Sequence, residues 1–67
     1  MRRAYRVCLW TMENELLVTV DNVNKSTPLS AARFAKRIQT SSSAKKTLYA
    51  EVWSERSGRK SGKYLVL

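Results

Sequence analysis

The chain has 67 residues, 43% of them apolar, and its 13 Lys and Arg against five acids give a formal charge of +8 and a pI near 10.3. That length builds one domain, residues 1–67, with room for one helix on one sheet and none for a deep, multiply supported pocket. With no histidine and a single cysteine, Cys8, there is no internal disulfide, no zinc set and no Cys–His nucleophile.

A field this positive favours polyanions: nucleic acid, a nucleoprotein or an acidic partner. Solubility alone is the plainer reading of the same charge. No apolar run approaches the roughly 20 residues of a membrane span. The opening MRRAYRVCLW is basic and then apolar, but its apolar part is too short for a signal peptide. A cytoplasmic protein without cofactor is expected.

The first predicted strand runs from Arg3 to Trp10, with Tyr5, Val7 and Leu9 on one face and Arg6, Cys8 and Trp10 on the other. TMENE is a polar connection turning at Asn14. A second strand, Leu16 to Val20, aligns Leu16, Val18 and Val20, and its β-branched residues suit a strand. The two pair most simply as an antiparallel hairpin.

DNVNKST is rich in turn formers and predicts a break in the sheet. Ser26 or Thr27 can cap a helix, and Pro28 suits its first position, where an N–H has no helical partner. The spacing predicts a helix from Pro28 to Gln39. Ala31, Phe34, Ala35 and Ile38 follow i, i+3, i+4, i+7 and form its apolar stripe; Leu29 lies off that stripe, at the helix entrance. TSSSAKK leads to a third strand, Thr47 to Ser54, in which Leu48, Ala50 and Val52 oppose Tyr49, Glu51 and Trp53. ERSGRKSG reads as a hairpin loop, and Lys63 to Leu67 as a closing strand. The expected fold class is α+β: a ββαββ domain with one helix on an antiparallel sheet.

Catalytic chemistry finds little support. Glu13, Glu15, Asp21, Glu51 and Glu55 are dispersed, as surface acids are. SGRKSG lacks the spacing and the following helix of a phosphate loop. The expected protein is not an enzyme.

Binding is better supported. Beyond the amino-terminal group Arg2, Arg3 and Arg6, the cations cluster as Arg33, Lys36 and Arg37, as Lys45 and Lys46, and as Arg56, Arg59, Lys60 and Lys63. The first of these three lies opposite the helix's apolar stripe, and no acid occurs anywhere from Asn22 to Ala50. Such a patch neutralises phosphates and releases counterions; a merely solvated helix back is the alternative. The loop group and Lys45–Lys46 either extend this patch or form a second one. If Val7, Leu9, Leu48 and Val52 face the helix, then Trp10, Tyr49 and Trp53 share the other sheet face beside Arg6. Rings among cations can stack unpaired bases. They can equally stabilise the sheet or bury a protein interface.

The start MRRAYRV, the helix LSAARFAKRI and the segment TLYAEVWSERSGRKSGKY together resemble small phage-encoded anti-CRISPR proteins. The likeness is to the basic type I inhibitors that dock on the CRISPR surveillance complex, Cascade. It implies a few strands, one helix and a basic carboxy-terminal hairpin. It also implies binding to the subunits that grip guide RNA, blockage of target DNA hybridisation, and some nonspecific attraction of DNA. That family's helix cations fall on Lys36 and Arg37.

The expected function is therefore inhibition of a bacterial nucleoprotein machine, a type I CRISPR surveillance complex or another, from within the host cytoplasm. A small module that binds DNA or RNA directly is the alternative. Monomer and small homo-oligomer both remain open.

Overall fold

Four strands and one helix follow one another as β1 (Arg3–Trp10), β2 (Leu16–Lys25), α1 (Pro28–Thr40), β3 (Tyr49–Ser54) and β4 (Lys60–Leu65). The computed structural model describes residues 3–11, 15–40 and 49–66. All strand pairs are antiparallel, in the order β2-β1-β3-β4. The expected α+β architecture is the one observed. Thr47 and Leu48 of the expected third strand, the turn at Asn14, and Leu67 lie outside the described residues.

The helix packs on one sheet face because β1 and β3 alternate as expected. Tyr5, Val7 and Leu9, with Ala50 and Val52 opposite, are buried beneath it. The Thr27 Oγ1 atom accepts from the Ser30 N–H at 3.1 Å, and the Ala31 N–H donates to the Thr27 carbonyl at 3.1 Å. Thr27 is therefore the cap, and Pro28 opens the helix.

Three expectations need correction. The second strand does not stop at Val20 but continues through DNVNK to Lys25. Its register against β1 shifts twice. Tyr5 pairs with Val23 but Val7 with Val20, so Asp21 and Asn22 together oppose Arg6; likewise Leu9 pairs with Val18 but Trp10 with Leu16, leaving Leu17 extra. These are β-bulges, the first with Asn22 at φ 56°. Each extra residue reverses the alternation downstream. Leu16 thus sits opposite Trp10 rather than on the face of Val18 and Val20, while Val23 enters the core at 1% exposure.

The helix stripe is also rotated from the expected one. Ala31, Ala32 and Ala35 are fully buried, Phe34 is half-buried, and Ile38 is 46% exposed. Three small side chains let the helix approach the sheet closely, and that contact outweighs the larger apolar residues at its margin. On an ideal helix Ala35 lies midway across an arc of about 100° from Ala31 to Ala32. Phe34 falls about 60° outside it, beyond Ala31.

The last hairpin loop is shorter than ERSGRKSG, because β4 already begins at Lys60. The Gly58 N–H donates to the Ser54 carbonyl at 2.8 Å, and the Ser54 N–H to the Arg59 carbonyl at 2.9 Å. Gly58 supplies the left-handed conformation this turn needs, at φ 72°.

Candidate binding surfaces

Two surfaces of opposite character emerge, one on the helix and one on the sheet face away from it. On α1, Arg33 and Arg37 are exposed and Lys36 is half-buried. Arg33 stands on the crest between two shallow grooves. One, of about 250 Å³, is lined by Lys25, Ser30, Arg33, Phe34 and Arg37. The other, of about 240 Å³, is lined by Leu29, Arg33, Lys36, Leu65 and Val66. Lys36 is half-buried because the rotated helix puts it only about 40° from Ala32.

Lys25 joins this patch from the end of β2, its Nζ 4.3 Å from the centroid of the Phe34 ring. A cation held over a ring keeps its charge while losing little of its reach. The expected cation groups did not include Lys25. Its sequence neighbourhood reads as turn, and only the continuation of β2 brings it beside the helix.

The opposite sheet face is arranged in three rows that run across all four strands. Leu16, Trp10, Tyr49 and Leu65 form the first; Thr19, Cys8, Glu51 and Lys63 the second; Asp21 with Asn22, then Arg6, Trp53 and Lys60 the third. Directly paired residues of antiparallel strands project to the same side, so each row is a line of neighbouring side chains. Trp10 and Tyr49 stack with ring centroids 6.4 Å apart and planes 11° from parallel, and Lys63 Nζ lies 4.3 Å from the Tyr49 centroid. The buried Nε1 of Trp10 has no hydrogen-bond partner among the described residues.

Three of the five acids are committed to this face. Asp21 Oδ1 accepts from Arg6 Nε at 2.7 Å, Glu55 Oε1 approaches Arg6 Nη2 at 4.0 Å, and Glu51 Oε2 accepts from Lys60 Nζ at 2.8 Å. The hydrogen bond from Arg6 to Asp21, reinforced by that carboxylate's charge, raises the guanidinium's already high pKa. Among the described residues, neither helix groove is lined by an acid. Arg33 and Arg37 form no ion pair among the described residues.

The expected sites thus separate. Arg33, Lys36 and Arg37 lie together on the helix side. Lys60 and Lys63 share the sheet face with Trp10, Tyr49 and Trp53, and Arg56 and Arg59 occupy the turn between β3 and β4. Lys45 and Lys46 lie outside the described residues. No group of three or more Cys, Asp or Glu among the described residues could hold a metal ion. No described helix is long and apolar enough to cross a membrane. Comparison with protein-family models, curated proteins and solved structures finds no match.

Proposed function

We propose that this protein is a non-catalytic inhibitor that docks on a bacterial nucleoprotein machine through the basic side of α1. The observation that carries this reading is the segregation of charge. Lys25, Arg33, Lys36 and Arg37 line the two helix grooves with no acid among the described residues, while Asp21, Glu51 and Glu55 pair with cations on the far face. A formal charge of +8 steers the chain toward a negative surface, and this side of the molecule meets it first. Arg33 and Arg37 can each grip a phosphate or carboxylate through two parallel N–H bonds. The sequence resemblance points to a type I CRISPR surveillance complex as the target, with target DNA hybridisation as the step obstructed.

Direct binding of DNA or RNA is the second reading, and it rests on the same cations. The test compares binding to a purified surveillance complex with binding to naked DNA and RNA as salt is raised. Capture of the complex that survives salt, lost in Arg33→Glu/Arg37→Glu, is the expected result. Binding to naked nucleic acid that is as tight as binding to the complex, and falls steeply with salt, would replace the inhibitor by a nucleic-acid module. A double variant that still binds both would remove the helix from either role.

A further inference from the structure

We infer that the sheet face away from the helix is a self-association surface, on which a second copy of this chain packs face to face. The inference does not depend on the helix reading, although Leu65, at the sheet edge, also borders one helix groove. It begins with an apolar belt: Leu16, Trp10, Tyr49 and Leu65 cross the whole sheet in one row, and its outer members are 51% and 72% exposed. Trp10 and Tyr49 at its centre are half-buried, with the Lys63 ammonium over the Tyr49 ring, so the open apolar surface of the row is that of its two leucines. Leucines this exposed at both ends of a stacked Trp–Tyr pair form a contiguous patch, not scattered surface residues.

Charge then selects the occupant. Arg6, Lys60 and Lys63 on this face are matched by Asp21, Glu51 and Glu55, three cations against three acids. A strand of nucleic acid would gain little from a surface with no net charge. It would also find Tyr49 already engaged, by Trp10 and by the ammonium of Lys63. A second copy meets the opposite situation. The rest of the chain carries the excess that makes up +8, and two such molecules repel everywhere except across a neutral face. Facing copies put the two basic helices on the outer sides of the pair, as far apart as the assembly allows.

The sheet edges do not compete for this role. β2 carries two bulges, and the register between β3 and β4 shifts between Val52 and Trp53, leaving Ser61 extra. Broken ladders and edge lysines discourage strand addition. Four strands about 4.8 Å apart, with three rows about 7 Å apart, present a face whose pairing buries roughly 800 Å² in total, below the roughly 1,000 Å² that a stable interface clears. The dimer is therefore weak and reversible.

Sedimentation equilibrium tests this on the unmodified protein, from about 1 µM to about 300 µM, the range a small interface occupies. The expected mass rises from one chain, 7.7 kDa, to twice that value. Leu16→Glu and Leu65→Glu, both at exposed positions, should keep the circular-dichroism melt and weaken association at least about tenfold. Cys8 sits in the middle row, so its alkylation should slow as the dimer fills, and should not slow in Leu65→Glu. A single-chain mass throughout the range overturns the inference. So does a dimer indifferent to both leucine variants, or one whose Cys8 reacts at the monomer rate. A monomer whose tryptophan fluorescence is quenched by a single-stranded oligonucleotide would overturn it in favour of base stacking on this face.

Discussion

The backbone N–H of Asn22 donates to Glu55 Oε2 at 2.7 Å, tying a bulge in an edge strand to the turn that follows β3, 33 residues further along the chain. The turn is held in place by a second contact, from the Glu55 N–H to the Ala4 carbonyl at 3.1 Å. Asn22 adopts φ 56°, a conformation that asparagine tolerates and β-branched residues do not. Asn22→Val should therefore cost about 1–2 kcal/mol, and Asn22→Gly should stay close to the parent. Glu55→Ala should cost about 1 kcal/mol by exchanging that hydrogen bond for one to water. Urea denaturation gives all three. Equal midpoints for the Val and Gly variants would show that the bulge is not held in this conformation.

That bulge also marks where the sequence stops being legible. Alternation in β1 and β3 was plain because each strand has one buried and one open face, and the cap at Thr27 with Pro28 announced the helix. The faces of Trp10, Tyr49 and Trp53 followed from the same alternation. DNVNK, in contrast, has the composition of a turn, yet it is a strand whose one apolar residue, Val23, reaches the core only because an extra residue shifts its phase. Nor does hydrophobicity alone reveal that a helix will seat its alanines instead of Phe34 and Ile38. Closeness of approach decides that, and it depends on the sheet beneath. The division of charge was half visible: the helix cations were, but the pairing of Asp21, Glu51 and Glu55 requires the register.

Gly62 and Tyr64 make a second coupled pair. A Cβ on Gly62 would lie 2.5 Å from the Tyr64 hydroxyl oxygen and 2.7 Å from Cζ, because residues two apart on a strand share a face. Tyr64 packs against the core, so its ring cannot swing away without losing contacts. Gly62→Ala should cost about 1–3 kcal/mol, as overpacking does. In a Tyr64→Ala background the same change should be close to neutral. A double-mutant cycle by chemical denaturation reads the coupling. Additive costs would mean that the two residues do not meet.

The rotated helix reverses an expectation about its side chains. Ala35 is fully buried at the centre of the contact, and Ala35→Leu must push the helix off the sheet, for about 1–3 kcal/mol. Ile38 is 46% exposed, and Ile38→Ser should cost well under about 1 kcal/mol. Thermal melts of the two variants rank them directly. A larger loss from Ile38→Ser would restore the apolar stripe of Ala31, Phe34, Ala35 and Ile38.

The helix cations and the sheet-face lysines should differ most in their response to salt. Each cation that neutralises a phosphate of duplex DNA adds about 0.9 to the slope of log affinity against log salt. Arg33 and Arg37 are exposed and without an ion pair among the described residues, so both are available to phosphates. Replacing both with Ala should lower any duplex slope by about 2, and the melt should hold, because exposed charges contribute at most about 1 kcal/mol to folding. Lys60 donates to Glu51 at 2.8 Å, and Lys63 lies over Tyr49. Moving either onto a phosphate would break an existing contact. Lys60→Ala/Lys63→Ala should thus leave the duplex slope nearly unchanged. Filter binding to one duplex at four or five salt concentrations measures both variants against the parent. If the Lys60/Lys63 variant loses the larger share of the slope, the polyanion lies on the sheet face and the helix cations are only its solvated back.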